Sequence, residues 1–135
     1  MKSILLAITL LFSLSLASQD TEKQPKLRYT TGFFNTKWEL GDKDMSEKQV
    51  QLHLEKHDSD AYFNFRRAKS LETQTAWYLI LGSAGTLVGA FTKDETALVG
   101  YGTAVAFYSL ALGTSISSKK KYERSVYGYN KKQGY

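Results

Sequence analysis

A chain of 135 residues, 42% hydrophobic and 23% charged, has room for one small domain, and its formal net charge is a modest +5. It has no cysteine, which excludes disulfides, cysteine metal sites and a lipid-anchored amino-terminal cysteine. The charge is uneven: ten basic and ten acidic residues cancel between Ser18 and Thr75, while six basic residues after Ser117 face the single Glu123.

In chain order, Met1-Lys2-Ser3, the apolar run Ile4 to Leu16 and the small-residue end at Ala17 have the layout of a secretory signal peptide. Residues 1–17 are therefore expected to direct export and to be cleaved after Ala17; retention as an anchor is the alternative. Ser18 to Lys26 is polar, holds the sole proline, Pro25, and reads as a flexible lead-in. Within 18–45, Leu27 to Leu40 is rich in aromatic and β-branched residues, with Gly32 and Asn35 as turn formers, and predicts a short β-hairpin. Gly41 to Asp44 then punctuates the chain.

Segment 46–75 reads as juxtamembrane helices. Ser46 and Gln49 form a capping-box pattern that starts a short helix, although the alternation Val50, Leu52, Leu54 also suits a strand. A second helix, capped by Asp58 or Ser59, carries Ala61, Tyr62, Phe65, Ala68 and Leu71 as one apolar stripe. No proline or glycine intervenes before Gly82, so this helix is expected to continue as one rod into the next segment.

Residues 76–117 dominate the sequence. Ala76 to Phe91 and Ala97 to Ile116 are apolar, glycine-rich and free of charge, separated by Thr92-Lys93-Asp94-Glu95. As helices they cover about 24 Å and about 30 Å, against a hydrocarbon core of about 30 Å. The fold class expected is thus mainly α, a transmembrane helical hairpin preceded by a β-hairpin-like segment and one or two amphipathic helices. Helices in lipid meet through small residues. Gly82, Gly85 and Gly89 in the first segment, and Gly100 with Ala104, Gly102 with Ala106 and Ser109 with Gly113 in the second, are the predicted packing positions.

The last segment, 118–135, reads as a basic, tyrosine-bearing tail. Lys119, Lys120, Lys121 and Arg124 are its candidate contacts to anionic lipid headgroups. Sidedness sets two rules against each other. A cleaved leader delivers Ser18 onward and, after two spans, the tail to the outer side, whereas the positive-inside rule keeps Lys119 to Lys132 in the cytoplasm. Full export with the tail outside is the expectation.

Chemistry is sparse. His53 and His57 are spaced four apart, as two ligands on one helix face would be, but a metal normally wants a third ligand, and the chain has no other histidine. Asp94 and Glu95 are adjacent and suit keeping a turn in water. No catalytic triad or phosphate loop is present in the sequence, so neither enzyme activity nor a cofactor nor a small-molecule substrate is expected. Nucleic acid is not an expected partner behind a leader.

In its arrangement the chain resembles a group of small exported proteins of Gram-negative bacteria. The shared features are Lys37-Trp38 in an aromatic opening, the helix Ser46 to Leu54, the segment Ala61 to Ala68, the glycine-rich pair Gly82 to Gly113, and the ending Tyr129-Asn130. The resemblance implies an envelope location and architecture and no activity. The expectation is a non-catalytic membrane protein of the cell envelope whose hairpin contacts lipid and second copies of the chain. A small oligomeric pore and, behind it, a metal-dependent enzyme are the alternatives.

Overall fold

The computed structural model describes residues 24–31 and 36–135, so the expected leader and the turn formers Gly32 and Asn35 lie outside the described residues. The chain is mainly helical, with three helices preceded by a small antiparallel sheet. In sequence these are β1 (Leu27–Thr31), β2 (Thr36–Leu40), β3 (Lys43–Met45), α1 (Glu47–His57), α2 (Ser59–Phe91) and α3 (Asp94–Lys132). Strand order is β1-β2-β3; Tyr29 pairs with Trp38, and Trp38 with Met45. The third strand has no apolar pattern of its own and forms because Gly41, at φ +63, turns the chain back beside β2. Glycine adopts that left-handed conformation without a Cβ penalty.

Helix α1 begins at the predicted capping box. The Ser46 side chain accepts from the Gln49 backbone N–H, and Gln49 Oε1 accepts from the Ser46 N–H at 2.8 Å. Val50 and Leu54, one turn apart, are buried while Leu52 is exposed, so the period is helical. Asp58 Oδ1 caps α2 by accepting from the backbone N–H groups of Asp60 and Ala61. From there α2 runs unbroken through Gly82 to Phe91 as one 33-residue rod.

The chain then reverses over Thr92 and Lys93, both extended, and Asp94, at φ 57. Helix α3 returns antiparallel along α2 over 39 residues. It does not stop near Ile116: the residues expected as a tail continue the helix to Lys132, and Ser118, Tyr122, Ser125, Tyr129 and Asn130 are buried. Their spacing of three and four is a buried helix face, which the charges between them obscure in the sequence.

The core sits at the closed end, or base, where the sheet and α1 cover the first half of α2 and the second half of α3. Trp38 lies with its ring centroid 5.3 Å from both Phe65 and Tyr122, and Tyr29 lies 4.7 Å from Trp38. Leu27, Val50, Leu54, Ala61, Ala68 and Tyr129 complete the buried cluster. The end of the expected lead-in is tied down as well. The Tyr129 hydroxyl lies 3.3 Å from the Pro25 carbonyl, and the Gly41 N–H donates to the Lys26 carbonyl.

One side chain fastens β1 to α3. The buried Asn130 amide accepts from the Leu27 N–H at 2.8 Å and donates to the Leu27 carbonyl at 2.7 Å, as a neighbouring strand would. Asn130→Ala leaves both backbone groups buried and unpaired, an expected loss of about 2–4 kcal/mol. Asn130→Asp keeps the acceptor but sets a buried carboxylate oxygen against the Leu27 carbonyl, and should lose at least as much. Urea unfolding followed by Trp38 emission, in a Trp77→Phe background, measures it; an unchanged midpoint in Asn130→Ala would remove the latch from the account.

Candidate functional site

Three features stand out as sites: the glycine seam and apolar surface of the distal hairpin, the histidine pair of α1, and the basic residues where hairpin meets base. Along the seam, each long helix carries a small residue at every seventh position. These are Ala61, Ala68, Thr75, Gly82 and Gly89 on α2, and Ala97, Ala104, Ala111, Ser118 and Ser125 on α3. A strict seven-residue repeat keeps one face turned toward the partner helix in a left-handed supercoil. Side-chain hydroxyls fix the register. Ser125 Oγ donates to the Ala61 carbonyl at 2.7 Å, Ser118 Oγ to the Ala68 carbonyl at 2.9 Å, and the Thr75 and Thr114 hydroxyls bond at 2.7 Å.

Nearer the tip the backbones come closer still. A Cβ on Gly100 would lie 2.4 Å from the Gly89 nitrogen, and one on Gly85 would lie 3.0 Å from backbone atoms of Gly100 and Ala104. Gly82 and Gly89 instead lie beneath the rings of Tyr108 and Tyr101. Of the predicted packing positions, Gly82, Gly85, Gly89, Gly100 and Ala104 are therefore in the seam. Gly102, Ala106 and Gly113 are exposed on the outside of α3, and a Cβ at Gly102 or Gly113 meets nothing within 4 Å. Ala111, absent from the predicted set, is buried in their place.

Because the seam is lined by glycine and alanine, the large apolar side chains of this half point outward. Trp77, Ile80, Leu87, Phe91, Val105 and Leu112 are all exposed. Among the described residues one helix, Asp94–Lys132, is long and apolar enough to cross a membrane. Only 17% of its most apolar stretch is buried within the chain, so it is not a core helix hidden by neighbours. The hydroxyls of this region turn inward on their own helices: Ser83, Thr86, Thr103, Ser109 and Thr114 each donate to the carbonyl four residues earlier.

In the base, the rings of His53 and His57 lie 4.6 Å apart. His53 Nε2 is 2.8 Å from the Tyr129 hydroxyl, which also lies 3.3 Å from the Pro25 carbonyl, and the imidazole tautomer decides which of the two side chains donates. That ring nitrogen is thus engaged within the base. Among the described residues no group of three or more histidine and carboxylate side chains gathers as a metal site would require. Burial pushes the Tyr129 phenol up to about 12, so it stays a neutral hydrogen-bonding group.

Where the base meets the apolar half, Arg66, Arg67, Lys119, Lys120 and Arg124 are exposed and Lys121 is half-buried. None of the six forms an ion pair among the described residues, whose ion pairs are Lys37 with Glu39 and Asp44, Lys69 with Glu47, and Lys132 with Asp58. The nearby carboxylates are occupied on the sheet side. Tyr122 donates to Glu72 at 2.9 Å, with Glu47 at 3.3 Å, and burial followed by these two charges raises the phenol's pKa. Comparison with family models, curated proteins and solved structures finds no match for this chain.

Two measurements test these geometries. With cysteines placed at Tyr78 and Phe107, whose rings stack at 6.1 Å, crosslinking should fall sharply in Gly100→Ala, at a cost of about 1–3 kcal/mol for overpacking. It should be unchanged in Gly102→Ala; equal effects would refute the seam. For His53, burial, then His57 and Lys56, lowers the pKa below its ordinary 6.5. The unfolded state then binds the proton more tightly, so the stability is present above pH 6.5 and is lost as pH falls through the lower folded value. The urea midpoint of the base should drop on acidification below pH 6.5, and His53→Gln should flatten that slope.

Proposed function

We propose that the protein is a non-catalytic, membrane-anchored component of the cell envelope, with the distal halves of α2 and α3 inserted as a hairpin and the base in water beside the bilayer. The observation that carries this reading is the outward-facing apolar surface around a seam closed by small residues. Among the described residues nothing covers that surface, and hydrocarbon does so without further protein. The lengths fit: about 30 Å for Ala97 to Ile116, and about 24 Å for Ala76 to Phe91 before Thr73 to Thr75 add a turn. Trp77 and Tyr78 fall at the interface, where such rings settle.

The base and the reversal at Lys93 to Glu95 then sit on opposite sides of the bilayer. The leader-like opening Met1 to Ala17 supports export, with the base outside the cytoplasm. Gly102, Ala106 and Gly113 give a second copy a smooth place to approach from within the lipid. A scaffold role is favoured over a pore because the hydroxyls that would line a polar stripe are bonded to their own helix carbonyls.

The test is flotation with vesicles. Wild-type protein should float with phosphatidylcholine vesicles and resist alkaline extraction. Val105→Lys, at a site 66% exposed and away from the seam, should lose stable insertion because a lysine near the bilayer centre costs about 2.5–3.5 kcal/mol. Protein that stays monomeric in plain buffer without detergent, and does not float, would overturn the proposal.

A further inference from the structure

These six cations, none ion-paired among the described residues, fall within one band of the molecule, and the seam explains why. Ser118 bonds the Ala68 carbonyl and Ser125 the Ala61 carbonyl, so position 67 lies level with 119, and 124 little more than a turn toward the base. Arg66 and Arg67 of α2 therefore belong to the same band as Lys119, Lys120, Lys121 and Arg124 of α3. In the sequence these two groups are more than fifty residues apart, and the charge balance of Ser18 to Thr75 conceals the first.

The band is also polarised around the hairpin axis. Phe65 and Tyr122, with ring centroids 5.4 Å apart, mark the flank covered by the sheet. Two residues further along a helix is a rotation of about 200°, which carries Arg67 and Arg124 to the opposite flank. Lys120, two residues before Tyr122, lies there as well, one turn from Arg124. At the level of the collar the acids Glu47 and Glu72 lie on the other side, where they accept from Tyr122, and burial, then Glu72 and Glu123, raises the Tyr29 phenol's pKa. One flank of the collar is thus basic, with Asp60, seven positions before Arg67, nearer the base on that flank, while Glu47 and Glu72 on the other are engaged by Tyr122.

We infer that the basic flank is a two-helix binding site for the phosphate of an anionic phospholipid, built from Arg67 and Arg124 with Lys120 and Lys121 beside them. The inference rests on the membrane reading above and gives it a lipid class. Three features favour lipid over other anions. The basic band begins three residues beyond Ile116, at the base-side end of the apolar surface of α3; a headgroup phosphate held there leaves its acyl chains toward that surface; and two guanidinium groups provide the planar donors that suit phosphate oxygens. Arg66 and Lys119, outside this flank, add long-range attraction.

The experiment compares flotation with two kinds of vesicle, phosphatidylcholine alone and phosphatidylcholine with an equal part of phosphatidylglycerol, at physiological ionic strength. Wild-type protein should partition into the anionic vesicles at least about tenfold better, since each basic group near such a surface contributes up to about 1 kcal/mol. Arg67→Gln with Arg124→Gln should remove most of that gain and leave partition into phosphatidylcholine unchanged, whereas Lys56→Gln with Lys48→Gln on α1 should keep it. Equal partition of wild-type protein into both vesicles would overturn the lipid site while leaving the hairpin intact; no partition into either would overturn the hairpin itself. If glycerol phosphate or a single-stranded oligonucleotide abolished the gain at equal phosphate concentration, the flank would be a general anion site and the lipid assignment would fall.

Discussion

Close approach of two backbones is the constraint on which the other features of this fold depend. With Gly89 and Gly100 in near contact and Ser118 and Ser125 bonded directly to carbonyls of the facing helix, there is no room between α2 and α3 for large side chains. Apart from Tyr101 and Tyr108 over the glycines of α2 and the stacked Tyr78 and Phe107, bulky apolar residues on these helices must then find cover elsewhere. In the base the cover is protein: Trp38 of the sheet and Val50 and Leu54 of α1 close over Phe65 and Tyr122. Beyond Thr75 the described residues supply no such layer, and the same seam carries an apolar exterior.

One repeat thus serves two environments. On α3 its small residues change from alanine near the tip to serine in the base, opposite Ala68 and Ala61 of α2, and on the membrane reading proposed above the change follows the solvent. In the proposed hydrocarbon setting the helices would hold together by van der Waals contact at short range, for which glycine gives the closest approach. In the base, hydroxyl-to-carbonyl bonds across the seam fix the register, and the aromatic cluster adds burial. The base therefore sets which residues of the distal half face one another, even though it does not touch them.

Much of the architecture is legible in the sequence because it rests on local signals. The capping box at Ser46 and Gln49, the stripe from Ala61 to Ala68 and the pairing of Leu27 to Leu40 all follow from patterns a few residues long. The seam is harder to see. Small residues four apart are plentiful here, and that spacing alone gives Gly102 and Ala106 the same weight as Gly100 and Ala104. The seven-residue repeat that separates them emerges only over the full length of both helices. In the last helix, six cations dominate the composition and mask the buried face Ser118, Tyr122, Ser125 and Tyr129. Strand β3 has no signal of its own, being made by the neighbour it pairs with. The basic band is out of reach for a similar reason: its two halves become one feature only through the register.

The Asn130 latch has a temporal side. It joins residues 103 positions apart, and Tyr129 reaches Pro25 across a similar span, so the base cannot close until nearly all of α3 has been made. Contacts so distant in sequence form late, because the intervening chain must first be ordered. Meanwhile both apolar segments have already emerged and have no sheet or helix of the base to shield them. On the membrane reading proposed above, a chain built in this order reaches the lipid first, and the base is finished afterwards around an anchor already in place.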